Sequence, residues 1–408
     1  MTKAPELPAI VRTMLQNVPQ SAQGVGRIRF LADLLARVSE AERQSLVRHV
    51  EVMIRYMIEV GASDIDAGGQ GSNGFVWYRV DGDKTPHPNM GTYTEDEASL
   101  LFLSLIGEHH LSVLVERGAV DFSRQIDFER RDQRRRFRAT IYFDYDALAL
   151  NMRAISNEVR PLKSLGFHPL IERGLLFRYE RDGLTLVTGV TGSGKSSTLD
   201  AIIDENNRDA AAHIIIIGQP IEYMHISQRS IVRHREVGKD VASFKDGIVQ
   251  ALRQDPDIVV VGEMRDPSTI SAALEITDSG HKVFSTLHTS SAVESIDRII
   301  AEYPPHEQER VRNRLADVLR CIVSQKLLPR AGGGRVLAKE VLWMTSSARA
   351  AIKNNNTSEI YQMMWEGGAQ GQITLEQDLL RLARQRLITP ETALNYANNK
   401  RRLQQILG

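Results

Sequence analysis

The chain has 408 residues, 42% hydrophobic and 25% charged, which is the composition of two or three globular domains and excludes a fibrous or disordered protein. Lys and Arg number 51 and so do Asp and Glu, so no global field draws the chain to nucleic acid or anionic lipid. The single cysteine, Cys321, excludes a disulfide framework and any zinc module built on several thiolates; within Ala316 to Val323 it reads as a small core residue.

The opening residues Met1 to Leu7 lack the apolar core of a signal peptide, and no run approaches the ~18 apolar residues of a membrane helix, so a cytosolic protein is expected. Residues 1–45 read as a helical, loosely attached extension, with apolar residues at helical spacing over Ile28 to Val38 and again over Glu40 to Val60. Residues 46–155 read as one α+β domain: strand-like Phe75 to Val80, a turn at Asp81-Gly82-Asp83, a helix through Glu95 to Gly107, and strand-like Phe137 to Phe143. The charged run Glu129 to Arg136 precedes a strand, which favours a solvated hairpin face over a nucleic-acid patch. Residues 156–166, with Pro161 and Gly166, suit a hinge linker.

Residues 167–345 read as a nucleotide-binding core. Leu184 to Thr188 is a buried strand, Gly189-Val190-Thr191-Gly192-Ser193-Gly194-Lys195-Ser196 matches the phosphate loop G-x-x-x-x-G-K-[ST], and Ser196 to Ile203 is the helix after it. The glycines let successive backbone N–H groups turn toward one anion, and the helix N-terminus adds positive partial charge. Lys195 then reaches the outer phosphates and the Ser196 hydroxyl holds Mg²⁺. Beyond the loop, His213 to Ile217, Ile258 to Val261 and Val283 to Thr286 are short β-branched runs alternating with helices, which implies a mostly parallel sheet covered on both faces. Residues 346–408 read as a C-terminal helical region.

Ligand sites in open α/β sheets lie at the carboxyl ends of the strands. Glu263 in Gly262-Glu263 therefore reads as an acid that orients Mg²⁺ through water, or as a solvated acid at a strand end. Glu222 in Gly218-Gln219-Pro220-Ile221-Glu222 reads as the base that orients or deprotonates the attacking water, with the same alternative.

The order and spacing of these segments resemble the secretion ATPases of type IV pili and type II secretion, and within that family the pilus-retraction branch. The resemblance rests on Gly189 to Ser196, Gly218 to Glu222, Val261-Gly262-Glu263-Met264-Arg265-Asp266, and Gly280-His281 followed by Thr286-Leu287-His288-Thr289. Further matches are Gly61 to Asp64, Val80-Asp81-Gly82, Phe137-Arg138, Arg235-Glu236-Val237, Leu252 to Asp257 and Gly332 to Arg335.

The resemblance implies a RecA-like P-loop ATPase domain preceded by a smaller α+β, PAS-like domain. It implies Glu222 as catalytic glutamate, Glu263 with Ser196 at the metal, His288 as a sensor near the γ-phosphate, and nucleotide contacts from Gly189, Thr191, Gly192, Ser193, Gly194, Lys195, Ser196 and Ser197. Arg138 and Arg153 fall on positions that supply arginines to the phosphates, the alternative being solvated strand arginines. No thiolate and no tight ligand cluster accompanies His281 and His288, which disfavours them as metal ligands, and His281 has the alternative of bonding a strand end to the next helix. ATP and Mg²⁺ are the implied cofactors. The implied assembly is a homo-hexamer, cytoplasmic and peripheral at an inner-membrane platform protein, with related motor ATPases as further candidate partners, and with no nucleic acid and no membrane insertion.

Two departures stand out. Gly218-Gln219 replaces the family's Glu-Asp, and Ser347-Ala348-Arg349-Ala350-Ala351-Ile352 replaces the Ala-Ile-Arg-Asn-Leu-Ile segment of the retraction branch. The resemblance still implies retraction as the working direction; the departures favour the alternatives, type II or type IV secretion or a weakly hydrolysing partner subunit.

Overall fold

The computed structural model describes residues 5–80, 82–127, 134–155 and 159–407. The chain divides into two compact units, one of residues 1–157 with 219–223 and one of residues 158–218 with 224–408. Asp81 of the expected turn, Glu129 to Gln133 of the charged run, and Ser156 to Glu158 of the expected linker lie outside the described residues.

The first unit opens with α1 (Ala9–Leu15), α2 (Gly24–Ala36) and α3 (Glu40–Glu59). A reciprocal cap starts α3: Ser39 Oγ accepts the Glu42 N–H, and the Glu42 carboxylate accepts the Ser39 N–H. Helical spacing carries Val11, Met14, Ile28, Leu31, Leu35, Leu46, Val50 and Ile54 into the core of this unit. Residues 5–45 are thus no loose extension; their apolar stripes are buried against the rest of the unit.

After α3 come β1 (Asp64–Gly68), β2 (Trp77–Val80), β3 (Asp83–Pro86), α4 (Glu95–Leu103), α5 (Glu108–Arg117), β4 (Ala119–Asp127), β5 (Arg134–Asp144) and β6 (Ala147–Ala154). The strands form an antiparallel sheet in the order β3-β2-β1-β6-β5-β4. Side-chain alternation sorts its faces. The cross-strand row Tyr78, Ile65, Met152 and Ala139 is buried in the core, whereas the next row, Arg79, Asp64, Arg153 and Arg138, lies on the opposite, polar face.

The second unit runs through α6 (Pro169–Leu175), β7 (Gly183–Thr188), α7 (Lys195–Asp209), β8 (His213–Gly218), β9 (Ile231–Glu236), α8 (Phe244–Ala251), β10 (Ile258–Val261), α9 (Pro267–Asp278), β11 (Lys282–Leu287), α10 (Ala292–Ala301) and α11 (Pro305–Val318). It closes with β12 (Leu319–Pro329), β13 (Arg335–Trp343), α12 (Ser346–Lys353), α13 (Ile360–Glu366), α14 (Leu375–Arg384), α15 (Pro390–Tyr396) and α16 (Lys400–Leu407). The sheet order is β13-β12-β7-β11-β10-β8-β9, parallel throughout except for β13 against β12. Every residue of β7, β10 and β11 is buried, as a parallel sheet with both faces covered requires. Cys321 is buried on β12, where desolvation pushes its thiol up to about 12; it is core, not nucleophile. No described helix is long and apolar enough to cross a membrane.

Glu340 on β13 is a buried acid that accepts the backbone N–H of Ala292 in the first turn of α10, at 2.7 Å, and that of Leu375 at the start of α14. Burial pushes its carboxyl up to about 7; Glu376 adds to the effect and Lys326 opposes it. The folded chain therefore holds this proton more tightly than the unfolded chain, whose carboxyl titrates near 4.5. The stability it contributes is full below pH 4.5 and is lost as pH rises through about 7. Urea midpoints at pH 5 and pH 8 should show the wild type losing up to roughly 3 kcal/mol from this group, and Glu340→Gln should not show that loss. Identical pH dependence in the two proteins would remove Glu340 from the account.

Candidate functional site

The phosphate loop begins where β7 ends. At Gly189 (φ +148°) a Cβ would stand 2.4 Å from Ser193 Oγ and 2.5 Å from the Gln325 carbonyl oxygen, so the loop closes only on glycine there. Gly194, at φ +90°, then turns the chain into α7, which has no side-chain N-cap. Its first-turn N–H groups, those of Ser196 and Ser197 among them, are left to an outside acceptor at the positive end of the helix dipole. The Lys195 ammonium is 9% exposed at the residue level and donates to the carbonyls of Gly189 (2.8 Å) and Val190 (3.2 Å). Thr188 Oγ1 and Ser193 Oγ are buried without a hydrogen-bond partner. Unpartnered buried hydroxyls are costly, and a loop lined with them, with turned amides and a lysine, suits a polyphosphate.

Two neighbouring strand tips bring in the next groups. In the parallel sheet, β11 lies between β7 and β10; β10 leads into Gly262-Glu263 and β11 into His288. Ser285 Oγ donates to the Val261 carbonyl (2.7 Å) and Thr286 Oγ1 to the Gly262 carbonyl (2.6 Å), which pins these two tips together. Sequence reading passed over both hydroxyls; small polar residues in an otherwise apolar strand were their only signal. The Glu263 carboxylate meets Arg265 Nε at 2.7 Å and His288 Nε2 at 3.5 Å. Partial burial and then the Lys195 ammonium hold His288 below its ordinary pKa, with Glu263 opposing. The ring is therefore neutral at neutral pH, able to accept or donate one proton.

Lys195, Ser196, Glu263 and His288 thus belong to the second unit, whereas Glu222 does not. The chain leaves β8 at Gly218, and Gln219 to Tyr223 belong to the first unit. There Glu222 Oε1 lies 3.6 Å from Arg138 Nη1, and Arg136 donates to the Ile221 carbonyl at 2.6 Å. The acid was expected simply at the tip of β8; instead it is paired with a candidate phosphate-binding arginine. Arg153 donates through Nε to Asp64 Oδ1 at 2.7 Å. Burial alone would raise Asp64, but the bonds from Ser63 and Arg153 carry it below the usual carboxylate range.

His281 stands at the amino end of the six-residue strand β11 and His288 just past its carboxyl end, roughly 20 Å apart at strand rise. They cannot share a metal ion, and no metal-binding group of three acids, histidines or cysteines occurs among the described residues. His281 instead ties the end of α9 to β11, its Nδ1 lying 3.0 Å from Ser279 Oγ and 3.1 Å from the Ile276 carbonyl. Arg349, on a helix where an arginine is usually solvated, donates to the carbonyls of Ala316 (2.6 Å) and Asp317 (2.7 Å) at the end of α11. It caps a helix C-terminus.

A sequence profile of the family described as Type II/IV secretion system protein matches residues 39–333. The chain is similar to a protein named twitching motility protein from Neisseria gonorrhoeae, 36% identical over 322 residues that cover 79% of this chain and 84% of that one. It is also similar to the type IV pilus retraction ATPase PilT of Pseudomonas aeruginosa, 36% identical over 322 residues that cover 78% and 90% of the two chains. A solved structure described as the pilus retraction motor PilT with bound ADP matches with a TM-score of 0.75 and 39% identity, covering 86% of this chain and 98% of that one.

Proposed function

This chain belongs to the type II/IV secretion system protein family, and we propose that it is a motor ATPase that powers retraction of a type IV pilus. In this reading six copies form a ring that works on an inner-membrane platform protein from the cytoplasmic side, where related motor ATPases can join it. The observation that carries the reading is the phosphate loop on β7 with Glu263 and His288 at the next two strand tips.

The N–H groups of Gly192 to Ser197 and the Lys195 ammonium bind the phosphates of ATP, with Gly189 and Thr191 shaping the loop. Ser196 and, partly through water, Glu263 would hold Mg²⁺, which when bound neutralises charge on the outer phosphates. Neutral His288 senses the terminal phosphate by a hydrogen bond. Glu222 orients or deprotonates the attacking water, and Arg138 and Arg153 supply positive charge to the phosphoryl group as negative charge builds on it. In an active ring, purified protein hydrolyses ATP without stimulation by single-stranded DNA. A strain lacking it should keep its pili but lose twitching; loss of surface pili would instead assign it to assembly or secretion.

Arg138 is half-exposed beside Glu222, so deleting it should lower turnover by roughly tenfold to a hundredfold, less than a fully desolvated donor gives. Nucleotide affinity should change less than turnover. An unchanged rate in intact rings would strike Arg138 from the site.

One observation favours a second reading. Gly218-Gln219 places no carboxylate where the family's acidic box has two, which suits a subunit that binds nucleotide, hydrolyses little, and assembles with an active relative. Comparing wild-type turnover with that of Glu222→Gln separates the two readings.

A further inference from the structure

We propose that Gln325 is a positioning residue that braces the phosphate loop from the neighbouring strand. The inference rests on the reading that this loop binds a nucleotide, and it assigns a part to a residue outside every motif identified in the sequence. β12 runs parallel to β7 up to the pair Ser324↔Thr188 and thereafter pairs only with β13, where Gln325 faces Lys339. Gln325 is therefore the first residue of β12 past the end of β7, alongside the point where the loop begins. It is 1% exposed.

Three contacts seat the loop on it. The side-chain Nε2 donates to the Ser193 carbonyl at 2.9 Å. The backbone carbonyl of Gln325 stands where a Cβ on Gly189 would come within 2.5 Å of it, and Nε2 lies 3.3 Å from where a Cβ on Gly194 would be. Glycine at 189 thus matters for contact with this strand as well as for the turn itself. The direction of the bond matters most. Because a trans peptide points its C=O and N–H to opposite sides, holding the Ser193 carbonyl on the strand side turns the Gly194 N–H away from the strand. That amide is one of those the loop offers to phosphate. Without the brace, the Ser193–Gly194 peptide is free to rotate and each binding event has to order it.

The side-chain Oε1 accepts no hydrogen bond. A purely structural glutamine in this position would be expected to use both ends of its amide; here only the donor aimed at the loop is used.

The test compares wild type with Gln325→Met, which keeps the volume and loses the donor, and with Gln325→Glu, which keeps the shape and cannot donate when ionised. Thermal unfolding without nucleotide reports whether each variant folds, so that failure of one leaves the other to decide. Amide hydrogen exchange of the nucleotide-free protein over Ser193 to Lys195 should speed up several-fold in the variants. Affinity for a fluorescent ADP analogue should fall about tenfold, the worth of one buried hydrogen bond, and the loss in kcat/KM should lie mainly in KM. Unchanged exchange and unchanged affinity in a folded variant overturn the proposal. Wild type that binds no ADP analogue overturns the nucleotide reading instead, and the exchange measurement still decides whether Gln325 braces the loop.

Discussion

Lys195→Ala should lower ATP turnover by at least about 10²-fold, the scale on which loss of one preorganised donor to a reacting phosphate or oxyanion acts. The ammonium is nearly buried and donates to the loop carbonyls of Gly189 and Val190. Its loss leaves the strands of the sheet untouched, so the melting temperature of the nucleotide-free protein should move by a few degrees at most. A second readout is independent of turnover. Lys195 is one of the causes that hold His288 below its ordinary pKa, so the imidazole should titrate higher in the variant when followed by NMR. Phosphate release at the wild-type rate would show that the loop has been misassigned.

Glu222→Gln should lower turnover by about 10²–10⁴-fold, as expected when a general base is replaced by its amide, while ATP stays bound. The amide keeps the size of the side chain but loses the charge that faces Arg138 at 3.6 Å. That surface pair contributes little to stability, so the variant should fold as the wild type does and its defect should lie in kcat. Equal turnover in wild type and variant would favour the nucleotide-binding subunit that hydrolyses little.

The phosphate loop was legible because its chemistry is local: an apolar strand, three glycines, a lysine, two hydroxyls and a helix follow one another within twenty residues. The parallel strands were legible for a related reason, since β-branched runs such as Ile214 to Ile217 and Ile258 to Val261 have few other places to go. The acids were legible as residues but not as partners. Glu222 follows a buried strand in sequence, and nothing local says that Gln219 to Tyr223 groups with the first unit, next to Arg138.

The first 45 residues misled for the opposite reason. Their apolar positions are spaced as a helix requires, but whether a stripe is covered depends on distant segments, here the core that gathers Leu31, Met57, Leu100 and Phe102. Gln325 and Glu340 were invisible in the same way. In sequence they are two polar residues in strands of mixed character, and only strand pairing shows that one meets Ser193 and the other meets Ala292.

Glu340 has one further effect. A single enclosed carboxyl group anchors the starts of two helices, α10 close behind His288 and α14 some eighty residues later. Neither helix can pull away alone without breaking its bond to that buried carboxyl. The start of α10, close behind His288 in sequence, and the start of α14 are thereby tied to one and the same buried group.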